Sequence, residues 1–258
     1  MSPPLTFVTW KWRAPERKIP IEPALGKRGF KSEQVNVLYA MIARHYPRPF
    51  RLICITDDAD GLDPRIEATP IPQSAAQFLS LINPLGERFP NCYCRLWNFS
   101  HEAAALLGER IFQIDIDVVI TGDLRPLIDR DEDFIGWSDK HFEKNKIAGG
   151  AYLLKTGSLK DIWEDFDPVS SPARAFAAGF KGSDQGWMSY KIGNRQRATG
   201  NGAEIGYWRD AGLVKLNWTQ RGARVPPRGV RLVFTSGVKP PWAKETRAKY
   251  PWVREAWK

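Results

Sequence analysis

The sequence predicts an α/β fold of a single domain over residues 1–258, with a mostly parallel central sheet flanked by helices and a mixed C-terminal half. Two observations carry this expectation. Strand-like and helix-like segments alternate through the first half of the chain, the pattern of parallel βαβ units. Four aspartates, Asp57, Asp58, Asp115 and Asp117, gather where those strands end, and parallel sheets bind ligands at such ends. Neither an internal repeat nor a long linker divides the 258 residues, enough for one large core.

Leu5–Trp10 is apolar and β-branched and reads as the first strand; the Pro/Gly-rich residues 11–31 read as a loop at its end. Ser32 is placed to cap a helix to Tyr46, with Val35, Leu38, Met41 and Ile42 on one face and Pro47 as its stop. Arg51–Thr56 is the second strand, and a short helix is expected at Ala75–Ile82. Cys94–Gly108 reads as helical and Ile111–Ile120 as the strongest strand in the chain. Phe134–Trp137 and Ala151–Leu154 are shorter strands. Helices are expected over Leu159–Phe166, Ala173–Ala178 and Asp184–Ile192, the last capped by Ser183. Short strands at Ile205–Trp208, Val214–Asn217 and Arg231–Thr235 precede a basic, Trp-rich tail, Trp242–Lys258.

Composition narrows the class. With 43% hydrophobic and 26% charged residues the chain is not of the disordered type, and no apolar run approaches the ~20 residues of a membrane span. The N-terminal MSPPLTFVTW lacks the pattern of a secretory leader, so a cytoplasmic protein is expected. Three cysteines, Cys54, Cys92 and Cys94, make a poor disulfide framework and read as reduced thiols. The net charge of +9 favours anionic partners, but the basic residues are spread along the chain, so a solvated basic surface explains them too. Eleven tryptophans suit both core packing and sugar stacking.

An Asp-x-Asp triplet arises by chance about once in a chain this long, so its context has to carry the weight. Here Asp115 and Asp117 are embedded in an apolar strand, where an unpaired charge is costly. Residues two apart on a strand project to one side, so both carboxylates are expected to address one cation. Carboxylate oxygens suit Mg²⁺ or Mn²⁺, which commonly share protein ligands with substrate phosphates. The alternative is a strand end whose aspartates cap loops or pair with arginine.

The stretch FQIDIDVVITGDLRPL resembles the DxD segment of nucleotide-sugar transferases of the GT-A fold, most closely glycosyltransferase family 8. VNVLYAMIARHY and RLICITDD resemble the first helix and second strand of that fold. YCRLWNF is similar to its donor-binding helix start, KGSDQGWMS to its Asp-Gln segment, and TSGVKPPW to its closing Gly…Pro-Trp motif. The order of these motifs, from about residue 5 to 242, carries the resemblance more than any one of them.

The resemblance implies a GT-A-like fold and a metal-dependent transfer of sugar from a nucleotide diphosphate donor, a UDP-sugar, with retained anomeric configuration. It implies Mn²⁺ or Mg²⁺ on Asp117 as main ligand, and Asp115 on the metal or the donor ribose. Arg95 would reach the donor phosphate or sugar; Asp184 and Gln185 would contact the transferred sugar; Val8, Thr9 and Asp57 or Asp58 would lie beside the base. Lys239 would contact phosphate. Two positions depart from the pattern. Ala148, Gly149 and Gly150 stand where the family commonly has an Asn, and Ser236 stands where it has a histidine as third metal ligand. The acceptor is expected to be a glycan or glycolipid, with the basic tail either resting on an anionic membrane at its inner face or packed on the domain.

Two competing readings use other parts of the sequence. A sugar-phosphate nucleotidyltransferase needs a glycine-rich basic loop after the first strand, and Ala24-Leu25-Gly26-Lys27-Arg28-Gly29 has some of that character. A basic, aromatic-rich nucleic-acid binder explains the charge and leaves Asp115 and Asp117 unexplained, so no nucleic-acid partner is expected.

Overall fold

The computed structural model describes residues 4–13, 29–86, 91–138, 147–192, 203–207, 209–235 and 240–258. In chain order its strands are β1 (Leu5–Lys11), β2 (Phe50–Thr56), β3 (Ile66–Pro70), β4 (Arg110–Ile114), β5 (Val118–Ile120), β6 (Phe134–Ser138), β7 (Ala151–Lys155), β8 (Ala203–Tyr207), β9 (Leu213–Lys215) and β10 (Leu232–Phe234). The helices are α1 (Ser32–His45), α2 (Gln73–Ala76), α3 (His101–Leu107), α4 (Arg125–Ile128), α5 (Asp161–Glu164), α6 (Ser171–Ala177), α7 (Asp184–Ile192), α8 (Lys244–Lys249) and α9 (Trp252–Ala256).

Seven strands form the main sheet in the order β3-β2-β1-β4-β7-β6-β8. β3, β2, β1 and β4 run parallel, β7 is antiparallel to both β4 and β6, and β8 is parallel to β6. The mostly parallel sheet with a mixed second half is the one expected. Strand order reverses between β1 and β4, where Val8 pairs with Gln113. A crevice at the C-terminal ends of those two strands is where such sheets take ligands. One sheet face buries Phe7, Leu52 and Phe112 against Val35, Leu38 and Met41 of α1. The other buries Val8, Trp10, Ile53 and Tyr152.

The α1 boundaries agree with the expectation, but its cap does not come from Ser32. The Gln34 side chain accepts from the Lys31 backbone N–H at 2.8 Å, while Ser32 Oγ donates to the carbonyl of Asp60. Cys94–Gly108 is two elements rather than one helix. A 3-10 helix spans Tyr93–Phe99, and Ser100 then caps α3, accepting from Ala103 N at 3.1 Å. Every residue of the 3-10 segment is buried, so tertiary packing on both sides overrides α-helical propensity there.

Ile111–Ile120 likewise divides. β4 ends at Ile114 in the main sheet, and β5 starts at Val118 in a second, three-stranded sheet of order β5-β10-β9. The tail packs on the domain: Trp252, Val253 and Trp257 are buried with the α1 face, and Arg44 of α1 donates to the carbonyls of Ala256 (2.8 Å) and Lys258. Each buried large apolar side chain contributes on the order of 1.5–3 kcal/mol, so lifting this tail onto another surface would forfeit several such terms. Among the described residues, no helix is long and apolar enough to cross a membrane.

Candidate active site

Asp115 and Asp117 lie in the turn that carries the chain from one sheet to the other, so they are not two same-side residues of one strand. Asp115 is tied to the main sheet, its backbone N–H donating to the carbonyl of Gly150 at 2.8 Å. Asp117 is tied to the small sheet: Thr235 Oγ, just past β10, donates to its carbonyl and its Oδ2, both at 3.0 Å. Ile116 between them is buried, which anchors the turn. Both carboxylates remain partly open to solvent.

Arg95 is not a surface charge of a helix. Its side chain is 9% exposed and bridges two carboxylates from distant parts of the chain. Nε donates to Asp184 Oδ2 at 2.8 Å, Nη2 lies 2.7 Å from the same oxygen in an ion pair, and Nη1 donates to Asp115 Oδ1. Residues 95, 115 and 184 thus meet beyond the C-terminal end of β4. Pairing with arginine, the alternative open from the sequence, is what this structure shows for Asp115. Asp115 Oδ2 has no hydrogen-bond donor among the described residues. Burial raises the Asp115 carboxyl to about 7 against the pull of Arg95, with the charges of Asp117 and Asp184 adding to the rise.

Asp184 opens α7 and is 3% exposed at its side chain. Ser183 does not act as a simple cap: its Oγ accepts from Cys92 N at 3.1 Å and donates to Asp184 Oδ1 at 3.2 Å, pinning the start of α7 to the 3-10 helix. Gln185 is half-exposed, beside Gly182 and Gly149. Glycine at 149 and 150 has a steric reason. A Cβ on Gly149 would lie 3.1 Å from Arg95 Nη2, and one on Gly150 would lie 2.8 Å from the Phe234 ring and 2.9 Å from Asp115 Oδ2. Backbone without side chains lets the ion-pair cluster sit directly on β7.

Of the remaining expected residues, Val8, Thr9, Asp57 and Asp58 are described. Val8 and Thr9 are fully buried in β1, so their side chains belong to the core; Thr9 Oγ has no hydrogen-bond partner among the described residues. Asp57 and Asp58 follow β2 and hold Arg13, through its backbone N–H (3.1 Å to Asp57 Oδ2) and its Nη2 (3.2 Å to Asp58 Oδ2). They form a separate rim beyond β2. Ser236, Lys239 and the loop residues 24–28 lie outside the described residues. Among the described residues, no group of three or more His, Cys, Asp or Glu side chains could hold a metal. Surface clefts of about 440 and 320 Å³ at Asp129–Glu132 and beside Pro226–Arg231 are lined by none of Arg95, Asp115, Asp117 or Asp184. Thr235, Asn98, Gln113 and Tyr152, which buttress the cluster, had no signal in the sequence beyond their polarity within apolar runs.

The fold defined by this sheet and this junction is the GT-A fold. Solved structures make the likeness specific. The galactosyltransferase LgtC, in complex with donor and acceptor sugar analogs, aligns over 95% of this chain and 91% of its own, with a TM-score of 0.57 and 14% identity. An active-site glutamine-to-glutamate mutant of LgtC aligns over 94% of this chain and 91% of its own, at 0.57 and 12%. No protein-family model and no curated protein sequence matches the chain.

Proposed function

We propose that the chain works as one glycosyltransferase domain that moves a sugar from a nucleotide diphosphate donor, a UDP-sugar, to a glycan or glycolipid acceptor. The observation that carries this reading is the convergence of Arg95, Asp115 and Asp184, with Asp117 alongside, at the strand-order reversal of a GT-A sheet. The likeness to LgtC, crystallised with donor and acceptor sugar analogs, agrees with it.

Asp115 and Asp117 fit a divalent ion, Mn²⁺ or Mg²⁺. Asp115 Oδ2 has no donor among the described residues, and burial, with the charge of Asp117 adding to it, raises the Asp115 carboxyl, a rise that a bound cation relieves. When bound, the ion supplies charge neutralisation for the departing diphosphate. Its other ligands would be phosphate and water, with Ser236 a further protein candidate. Arg95 is placed to trade part of its carboxylate pairing for the donor's phosphate or sugar, and Lys239 is assigned to the phosphate.

Gln185, the more open of the Asp-Gln pair, would contact the transferred sugar directly, while Asp184 holds Arg95 beneath it. Buried and doubly bonded, Asp184 is poorly disposed to attack a sugar carbon. We favour a front-face reaction with retention: the anomeric carbon–phosphate oxygen bond breaks, the acceptor oxygen bonds the same face, and its proton passes to the leaving phosphate. Catalysis is then positioning and electrostatics. We place the reaction in the cytoplasm. Contact with an anionic membrane would rest on the exposed Lys244, Arg254 and Lys258, because Trp252 and Trp257 are turned inward.

A panel of nucleotide sugars, each incubated with Mn²⁺, Mg²⁺ or chelator, tests the reading. One UDP-sugar should be hydrolysed or transferred only with metal. Absence of both turnover and nucleotide binding across the panel would sink it.

A further inference from the structure

A second polar layer lies under the ion-pair cluster, buried in the apolar face of the main sheet. Asn98 is its centre. Its Oδ1 accepts from Trp10 Nε1 at 3.1 Å, and its Nδ2 donates to Gln113 Oε1 at 2.8 Å and to Tyr152 Oη at 2.9 Å. All four side chains are at most 3% exposed. They come from β1, the 3-10 helix, β4 and β7, the segments that carry or border Arg95, Asp115 and Gly150. Both N–H donors of the Asn98 amide and one lone pair of its Oδ1 are used, and the Trp10 indole N–H must face Oδ1 rather than Nδ2, so Asn98 has one permitted orientation.

The spacing of the two layers is the informative part. Arg95 meets Asp115, and Asn98, three residues on, meets Gln113, two residues back. In a 3-10 helix residues three apart eclipse, separated by about 6 Å along the axis. Residues two apart on a strand share a face and are separated by about 6.6 Å. The helix therefore runs antiparallel to β4, and the two pairs are successive rungs with matching rise. An α-helix would bring its i+3 residue only about 4.5 Å along and about 60° off the face. The 3-10 form is what allows both rungs at once.

We propose that Asn98 is a positioning residue: by locking the 3-10 helix to Gln113 it fixes the height at which the Arg95 guanidinium reaches Asp115 and Asp184. Its consequence for catalysis rests on the reading of that cluster as the donor site; its consequence for geometry does not.

Two measurements separate those claims. The first follows solvent exchange of the Arg95 Nε–H, which Asp184 holds, by NMR of ¹⁵N-arginine-labelled protein. Asn98→Ala should accelerate that exchange at least tenfold. An unchanged Arg95 rate, with the Trp10 indole N–H visibly shifted by loss of its acceptor, overturns the proposal. If Asn98→Ala does not fold, Gln113→Met removes the opposite side of the same rung at similar volume. It should accelerate Arg95 exchange as well, and no acceleration overturns the proposal equally. The second is a double-mutant cycle in nucleotide-sugar affinity. Asn98→Ala should weaken binding several-fold in the wild-type background and have no further effect on Arg95→Ala, whereas additive losses mean that Asn98 acts elsewhere. If the wild type binds no nucleotide sugar, the donor-site reading fails and the exchange measurement alone decides the positioning role.

Discussion

Arg95 meets a single oxygen of Asp184 twice, Nε donating to Oδ2 at 2.8 Å and Nη2 making an ion-pair contact with it at 2.7 Å, leaving Asp184 Oδ1 to the Ser183 hydroxyl. The two residues are 89 positions apart and nearly excluded from water. Removing one member of such a pair strands the other's charge in a poorly solvated place, which typically costs 3–5 kcal/mol. Arg95→Ala should destabilise the fold by about that amount, read by chemical denaturation. It should also weaken nucleotide-sugar binding by roughly tenfold or more, the loss of one charge-assisted contact. A variant as stable as wild type would show that the pair is solvated in solution.

Asp117 lies in the turn between β4 and β5, where its carboxylate accepts from Thr235 Oγ at 3.0 Å. Asp117→Asn keeps an oxygen for that hydrogen bond and removes the charge. It should abolish nearly all metal-stimulated turnover while leaving the melting temperature within a few degrees of wild type. Wild-type turnover at saturating metal would remove Asp117 from the metal site.

Gly150→Ala tests the packing of the cluster on β7. The new methyl would meet the Phe234 ring and the Asp115 carboxylate at under 3 Å. Overpacking of this kind commonly costs 1–3 kcal/mol, and here it presses on a metal-ligand candidate as well. Both stability and metal affinity should fall. Gly149→Ala, with its closest approach of 3.1 Å to the end of the Arg95 side chain, should be the milder of the two.

Much of this was legible in the sequence, and the rest failed for identifiable reasons. The locations of β1, α1, β2 and β4 follow from local apolar patterning, as do α7 and the order of the short C-terminal strands, whereas β3 (Ile66–Pro70) does not stand out between them. The division of Ile111–Ile120 did not show, because Ile116 is buried like the strand residues around it and the apolar run continues across the change of sheet. The mutual pairing of Arg95, Asp115 and Asp184 was also hidden. Each residue was singled out separately, yet the contacts join positions 20 and 89 apart, and no periodicity encodes such distances. The resemblance implies that Val8 and Thr9 lie beside the base; β1 runs on through Lys11 and both side chains are buried in it.

The cysteines give a pH-dependent prediction. Burial pushes the Cys54 and Cys92 thiols up to about 12, and Cys94 well above its ordinary value. A raised thiol pKa means that the reactive thiolate is scarce below that value. At pH 8 native protein should resist alkylation at all three positions, and denatured protein should react at all three, as mass spectrometry can count. Rapid labelling of a native cysteine would mean that its segment opens readily.

The small sheet has a bearing on the order in which the protein is made. β5 is synthesised before the middle of the chain, but its neighbour β10 comes more than a hundred residues later, and β9 joins only through β10. A nascent chain can build β1, α1 and β2 from nearby residues as soon as they emerge. It cannot settle Asp117, whose tether Thr235 has not yet been translated. Closing so long a loop is slow relative to local pairing. The carboxylate turn is therefore among the last parts to take shape, and a ribosome-stalled chain ending before residue 232 should present a largely formed parallel half with Asp117 still unplaced.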